Sequence, residues 1–257
     1  MRKSVRLRLA LALLALSMTV IGAILFVQAR VDKAAEAATQ ASLSPVSAPK
    51  TEVVKEPVEE MEEESVDFEA LREINPEIVG WIRAQGLGID EPIVRASDNA
   101  KYLTTNFEGE QDRSGAIFLD YACVQDFEEQ HVVLYGHNLK AGGRFSPLIQ
   151  LKKQEAFEQF QDDIVIYTPQ REIPLRIVGV EAAPADGLRR MTDFESLEAF
   201  QQYALGYING CTLSDSPKDG VNRLYSFITC SYEGEDYRTY IYAVERPVSE
   251  AEAESAA

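Results

Sequence analysis

The sequence has few of the residues that metal sites and nucleophilic enzymes use. Among 257 residues there are two histidines and three cysteines, and the cysteines form no CxxC pair. Structural zinc sites need clustered cysteine and histidine ligands, so we expect no zinc site. Positive charge is also scarce, with 25 basic against 42 acidic residues and a net charge of −17. A chain of this charge cannot neutralise a phosphate backbone, which argues against nucleic acid as a partner.

Residues 1–30 contain a long stretch without charge. Four basic residues lie within positions 2–8, and positions 9–29 carry none. This length matches the ~20 residues of a membrane-spanning helix, and the basic flank favours a cytoplasmic N-terminus. We predict an uncleaved signal-anchor over 1–30, and hence a single-pass cell-membrane protein whose remaining chain lies on the extracellular face. The alternative is a cleaved signal peptide, because Val27-Gln28-Ala29 resembles a cleavage site.

Composition divides the remaining chain into three parts. Residues 31–66 are rich in Ala, Glu, Ser and Pro and poor in large apolar residues, which predicts an acidic stalk or linker. Residues 67–247 carry the patterned apolar segments of a folded domain. Residues 248–257 are small or acidic, and we predict a disordered tail.

Short segments rich in β-branched and aromatic residues dominate the predicted domain. They lie at 91–96, 115–122, 131–136, 163–168, 172–182, 223–230 and 238–245. Turn residues separate them, a pattern typical of a barrel or sandwich. Helical patterns at 146–161 and 192–208 interrupt the series, and Thr192 and Glu195 have capping-box spacing. A short helix is predicted before Pro76, followed by an apolar stretch whose Trp81 we expect in the core. We therefore predict a β-barrel with helices inserted in its loops.

Three residues could form a reactive site. Cys230 ends an apolar strand, and Arg238 begins the next one, so a turn at 231–237 would bring the two side by side. His137 follows directly after another strand, at the rim of the sheet, whereas His131 opens that strand and is expected at the surface or with satisfied hydrogen bonds. A Cys–His pair supplies a nucleophile and a general acid/base, and a guanidinium favours the thiolate and stabilises an oxyanion. A buried, inert cysteine is the structural alternative.

The segments around these residues resemble class B sortases. In that family the cysteine lies in a T-L-x-T-C pattern at a strand end, and an arginine lies on the following strand. This sequence has Ser226-Phe227-Ile228-Thr229-Cys230 and then Arg238, so it departs at the first two positions and keeps the Thr-Cys pair. The YGHN stretch at 135–138 is similar to the family's histidine segment. Four upstream segments resemble class B segments in order and spacing, and they lie at 75–82, 89–94, 98–103 and 115–121. The resemblance therefore covers roughly 68–247.

The resemblance implies both a fold and a reaction. The fold is mostly β, a sortase-like β-barrel with N-terminal helices and a helix inserted in the β6/β7 loop. The reaction is transpeptidation, in which Cys230 attacks a carbonyl within the sorting motif of an exported protein, His137 protonates the leaving amine, and Arg238 holds substrate carbonyls or the oxyanion. An amine of peptidoglycan or of a pilin subunit then resolves the thioacyl-enzyme. The resemblance implies no metal and no organic cofactor.

The resemblance also implies further substrate-binding residues, which are assigned by their position in these motifs. The peptide groove would be lined by Asn99, Leu103, Tyr135, Ile228, Thr229 and Ser231. For Tyr135, Leu103 and Ile228, ordinary core packing is an equal alternative. Cys123 and Cys211 have no predicted catalytic role, and a disulfide between them is left open.

Two other functions fit the same residues. An exported thiol peptidase would use the same three groups mainly for hydrolysis, and only the acceptor would differ. A membrane-tethered surface binding module would hold Cys230 as an unreactive residue, so that replacing it by alanine would leave function intact.

Overall fold

The computed structural model describes residues 66–246. The predicted anchor at 1–30, the stalk up to residue 65 and the tail at 248–257 lie outside these residues. Within 66–246 no helix combines the length and the apolar character that crossing a membrane requires.

Nine strands in this part of the chain form one sheet, and eight of them close into a barrel. The strands are β1 (Ile78–Ala84), β2 (Ile89–Val94), β3 (Ile117–Leu119), β4 (His131–Tyr135), β5 (Val165–Tyr167), β6 (Glu172–Pro184), β7 (Leu213–Ser214), β8 (Leu224–Cys230) and β9 (Tyr237–Glu245). They pair in the order β5-β1-β2-β3-β4-β8-β9-β6-β7, and a further pairing of β5 with β6 closes the barrel. The predicted mostly-β barrel is confirmed.

Three α-helices and three 3-10 helices lie before or between these strands within residues 66–246. The α-helices are α1 (Phe68–Ile74), α2 (Gln154–Gln159) and α3 (Leu197–Gly210), and the 3-10 helices are Lys101–Leu103, Ser146–Lys152 and Leu188–Arg190. Helix α3 lies between β6 and β7, where the resemblance implied an inserted helix. The predicted helix at 146–161 is two elements, because Lys153 between them has an extended backbone.

Two details of the sequence interpretation were wrong. The predicted capping box of Thr192 and Glu195 does not start α3, because Ser196 is its N-cap and accepts a hydrogen bond from the backbone N–H of Ala199. The stretch around Trp81 is strand β1, paired with β2 and β5. Its side chain is only partly buried and donates from Nε1 to Asp90 at 2.6 Å, so the tryptophan is not a core residue. Its polar N–H is instead bonded to an exposed carboxylate.

The centre of the sheet is the parallel pair of β4 and β8, with β9 antiparallel to β8. Successive side chains on a strand point to opposite faces. One face is apolar and fully buried, with Leu134, Phe227 and Ile241 among its members. The other face carries His131, against which Tyr203 of α3 packs at 5.5 Å between ring centroids. The face that α3 covers also carries Ser226 of β8, whose Oγ lies 2.7 Å from His131 Nε2. Thr229 and Thr239 lie on the face of Phe227 and Ile241.

Candidate active site

The register of the sheet brings the three candidate residues together. Cys230, the last residue of β8, lies directly opposite Arg238 on β9. On the other side of β8, Tyr135 is the register partner of Ile228. His137 follows Tyr135 by two residues, as Cys230 follows Ile228. A parallel pair therefore carries the imidazole alongside the thiol, although 93 residues separate them in the sequence.

The loop after β4 is tied to the cysteine strand by two side chains. Asn138 donates from Nδ2 to the carbonyl of Cys230 at 3.0 Å, and Tyr232 donates from Oη to the carbonyl of Asn138 at 3.0 Å. Gly136 gives the loop its path, since an added Cβ would lie 2.7 Å from the ring of Phe145. These contacts fix the position of His137 relative to the thiol.

The ring of His137 has a defined tautomer when neutral. Its Nε2 lies 2.8 Å from the carbonyl oxygen of Leu103, which can only accept a hydrogen bond. The proton is therefore on Nε2, and Nδ1 is the nitrogen available to Cys230. The hydrogen bond with Cys230 raises the pKa of His137, against the opposing effect of partial burial.

The three cysteines differ in the acidity of their thiols. The hydrogen bond with His137 lowers the pKa of Cys230, burial opposes this, and the charge of Arg238 lowers the pKa further. By contrast, burial raises the pKa of both Cys123 and Cys211 to about 12. All three are free thiols, so no disulfide joins Cys123 to Cys211. Because the thiolate is the nucleophile, Cys230 is the one suited to covalent chemistry.

Arg238 keeps most of its donors available. It is half-buried, and its Nη1 donates to the carbonyl of Tyr237 at 3.0 Å. Within residues 66–246 it makes no ion pair, so its charge is not neutralised by a carboxylate. A guanidinium has five N–H donors and stays charged, and one that is not used by the fold can bind an incoming carbonyl or oxyanion.

A cleft of about 410 Å³ opens above these groups. Of the predicted site residues, those that line it are Asn99, Leu103, Tyr135, His137, Ile228, Thr229, Cys230 and Arg238. Ser231 is not among the lining residues, and its side chain is buried. The roles of all these residues in binding or catalysis stay predictions.

One buried carboxylate organises the wall of the cleft and was missed from the sequence. Asp120 follows β3 and accepts hydrogen bonds from Asn99 Nδ2 at 2.9 Å and Tyr135 Oη at 2.7 Å. The oxygen of the Asn99 amide accepts from the backbone N–H of Tyr121. Asn99 is therefore held by the fold, with one amide hydrogen left for a ligand. A polar residue directly after an apolar strand was the available signal for Asp120.

No clustered set of metal ligands occurs in the described residues. The cleft contains a thiol, an imidazole and guanidinium groups, which suit covalent acyl transfer without a metal.

The chain was compared with protein families, curated proteins and solved structures. No family model matches it. A Sortase B of Listeria monocytogenes serovar 1/2a is 38% identical over 78 residues, which are 30% of this chain and 32% of that protein. A Sortase B of Staphylococcus aureus is 29% identical over 136 residues, 53% of this chain and 55% of that protein. The matched segments thus span about a third and about half of these curated relatives.

The similarity to solved structures is more extensive. The crystal structure of Clostridium perfringens sortase B has a TM-score of 0.66 and 26% identity, covering 70% of this chain and 100% of that one. A complex of Staphylococcus aureus sortase B with substrate has a TM-score of 0.65 and 26% identity, covering 71% and 86%. The fold similarity therefore extends over almost the whole of these structures.

Proposed function

We infer that this chain, whose relatives and structural neighbours support a class B sortase, is a cysteine transpeptidase with Cys230 as its nucleophile. Its substrates would be exported proteins that carry a C-terminal sorting motif. The acceptor would be an amine of peptidoglycan or of a pilin subunit. One observation carries the proposal: Cys230, His137 and Arg238 line one open cleft, and Arg238 is the register partner of Cys230.

The first half of the reaction forms a thioester. The Cys230 thiolate attacks the backbone carbonyl of the sorting motif, and a C–S bond forms as the carbonyl electrons move onto oxygen. Arg238 donates to this oxyanion. When the C–N bond breaks, the imidazolium of His137 gives its proton to the leaving amine. The hydrogen bond from Nε2 to the Leu103 carbonyl keeps the ring oriented throughout.

The second half reverses these roles. An acceptor amine attacks the thioester and loses a proton to the now neutral His137. The C–S bond breaks, the Cys230 thiolate is restored, and a new amide is formed. Dividing the acyl transfer in this way replaces one difficult step by two easier ones.

We also propose that residues 1–30 anchor the protein in the cell membrane with the catalytic domain on the extracellular face. The support is the uncharged stretch at 9–29 after four basic residues. Protease protection in intact cells, with a tag at the C-terminus, tests the orientation. Digestion of the tag only after the cells are opened would contradict it.

The enzymatic proposal is tested by intact-mass spectrometry. The purified protein is incubated with sorting peptides and hydroxylamine as a soluble amine. We expect a thioacyl adduct on Cys230 and a hydroxamate product, both lost in Cys230→Ala. Release of free acid alone, at a rate that no amine changes, would instead support a hydrolytic thiol peptidase. If Cys230 is never acylated and reacts with electrophiles no faster than Cys211, the transpeptidase proposal is wrong.

A further inference from the structure

The cleft contains a second guanidinium that the proposed chemistry at Cys230 does not use. Arg190 ends the 3-10 helix Leu188–Arg190, between β6 and α3, and its side chain lines the same cleft as Cys230. It is exposed, and its hydrogen bond to Tyr135 Oη is long, at 3.5 Å. Within residues 66–246 it has no carboxylate within ion-pair distance.

Its neighbour Arg189 shows what a structural arginine looks like in this segment. The guanidinium of Arg189 lies between the rings of Tyr207 and Tyr240, at 4.7 and 4.8 Å from their centroids. It also forms ion pairs with Glu181 and Asp186. The guanidinium of Arg189 is therefore engaged in contacts within the fold, whereas the side chain of Arg190 lines the cleft.

The backbone that carries Arg190 is fixed on both sides. Arg189 holds it on one side, and on the other the carbonyl of Met191 accepts from His131 Nδ1 at 2.7 Å. The second ring nitrogen of His131 accepts from Ser226 Oγ at 2.7 Å, and the ring is fully buried. A side chain on a fixed backbone loses less freedom when it binds a ligand, which favours recognition by Arg190.

The carboxylates near the cleft already accept hydrogen bonds from other groups, so an anion that pairs with Arg190 would have to come from a ligand. Asp186 lines the cleft, but its carboxylate accepts from the backbone N–H of Arg189 and forms an ion pair with the Arg189 guanidinium. Asp120 lies behind Tyr135 and accepts from Asn99 and Tyr135. Both nearby carboxylates are thus engaged with other donors, in a protein whose net charge is −17. A free guanidinium in a cleft is suited to bidentate binding of a carboxylate.

The register locates this charge relative to the reacting thiol. Arg190 contacts Tyr135, whose partner Ile228 precedes Cys230 by two residues on β8. Two strand residues span about 7 Å. We propose that Arg190 is a specificity-determining residue that binds an Asp or Glu side chain of the donor peptide, within about three residues of the cleaved bond. This inference rests on the proposed function, since it needs a peptide in the cleft.

The experiment compares peptides that differ only in charge. A series of sorting peptides carries Asp or Asn at each position in turn on both sides of the cleaved bond. The enzymes are wild type, Arg190→Gln, Arg190→Lys and the matched control Arg72→Gln, an exposed arginine on α1 away from the cleft. The rate of acylation, kcat/KM for the donor, is measured with hydroxylamine in excess.

In the wild type we expect Asp to be preferred over Asn about tenfold at one position, the scale of one charge-assisted contact. The preference falls to about one in Arg190→Gln, is partly kept in Arg190→Lys, and is unchanged in Arg72→Gln. Added salt should reduce it, because the pair is exposed.

The outcomes separate this inference from the proposed function. If neutral peptides acylate the wild type and Arg190→Gln equally but no position prefers Asp, the role of Arg190 is refuted and transpeptidation stands. If the preference for Asp persists in Arg190→Gln, another group binds the donor carboxylate, and the assignment to Arg190 is wrong. If no peptide acylates any variant, the proposed function itself fails.

Discussion

The arginines at the two ends of the β8–β9 ladder differ in whether they have carboxylate partners. At one end Cys230 faces Arg238, and neither Arg238 nor Arg190 in the adjoining cleft has a carboxylate partner among residues 66–246. At the other end Glu245 accepts from Arg171 at 3.1 Å and from Arg223 at 2.6 Å. Glu128 completes that group by ion pairs to both arginines. We call this set the arginine–glutamate cluster.

Under the proposed function, one sheet separates stability from reactivity. In the arginine–glutamate cluster the charges neutralise each other, and the cluster ties the loop before β4 to β6, β8 and β9. The positive charges in the cleft, by contrast, are those that the proposal assigns to the thiolate and to a substrate. A charge that is neutralised by the fold cannot also stabilise a transition state, so the two tasks require different residues.

The largest expected effect is the loss of the nucleophile. Cys230→Ala should reduce acylation by more than about 10³-fold, to background, because no other thiol lines the cleft. Its melting temperature should stay close to that of the wild type, since the side chain is only partly buried. Peptide acylation followed by mass spectrometry measures the effect, with Cys211→Ala as the control. Retained turnover in Cys230→Ala would remove the cysteine from the mechanism.

The next effect concerns the unpaired arginine. Arg238→Ala should lower kcat/KM by about 10²–10³-fold, the scale of one lost oxyanion donor, with Arg238→Lys in between. The comparison variant is Arg223→Ala, in which the opposite end of the ladder loses its guanidinium. We expect that variant to lose stability and to keep kcat. Equal losses of activity in the two variants would mean that the ends of the ladder are not functionally distinct.

The pH dependence sharpens the comparison further. The hydrogen bond lowers the pKa of Cys230 and raises that of His137, so the pair favours thiolate and imidazolium together. Alkylation of Cys230 should therefore begin at a lower pH than for an ordinary thiol, whose pKa is about 8.5. In His137→Ala the onset should shift to higher pH, because the largest cause of the lowered pKa is removed. An unchanged alkylation profile would show that the pair is not coupled.

A smaller effect is expected in the arginine–glutamate cluster. Although burial opposes it, hydrogen bonds from Arg171, Tyr225 and Arg223 lower the pKa of Glu245 to about 2. Because the folded-state pKa lies below the unfolded one, this carboxylate stabilises the fold above about pH 4.3. The stabilisation is lost as the pH falls from there towards 2.

Glu245→Gln should lower the free energy of unfolding at pH 7 by about 1–2 kcal/mol, after allowance for its partial exposure. The difference from the wild type should shrink towards pH 2. Urea unfolding at several pH values measures it, and kcat should change little. A difference that stays constant from pH 7 to pH 2 would contradict the assigned pKa.

The smallest effect concerns the contact between the loop that follows β4 and the loop that follows β8. Tyr232→Phe removes the hydrogen bond to the Asn138 carbonyl, which lies at an exposed tyrosine. Because His137 and Cys230 are then held less firmly relative to each other, we expect the activation free energy to rise by about 0.5–1 kcal/mol, which lowers kcat two- to fivefold. KM and the melting temperature should stay nearly unchanged. A fall in melting temperature with unchanged kcat would assign the contact to stability alone.

Much of the fold followed from the composition of short segments. The segments at 131–136, 223–230 and 238–245 were predicted as strands because they are rich in β-branched and aromatic residues and are separated by turn residues, and they are β4, β8 and β9. The strand at Trp81 was missed because an apolar stretch without strict alternation does not distinguish a strand from a buried helix. Ser196, not Thr192, caps α3, and the ring of Phe194, before the cap, packs against Phe200 and Tyr203. These tertiary contacts could not be predicted from the local spacing of Thr192 and Glu195.

Part of the candidate site could likewise be predicted from the sequence, and part could not. Cys230 and Arg238 could be paired from the sequence because a short turn separates them, and His137 because a strand ends before it. The partner of its Nε2, the carbonyl of Leu103, could not be predicted, since it comes from a 3-10 helix 34 residues earlier. The position of Arg190 in the cleft could not be predicted either, because the sequence around it is equally typical of a solvated surface arginine.

The sequence by itself determined which segments are strands, which thiol ends one of them, and which two side chains could activate it. These properties depend on neighbours within a few residues. Only the tertiary structure decided which charges remain unpaired. Arg189 and Arg190 are adjacent and chemically identical, yet one is held between two tyrosines and the other faces the cleft. Their difference arises from contacts with β6, α3 and β9, and so it exists only once the barrel has closed.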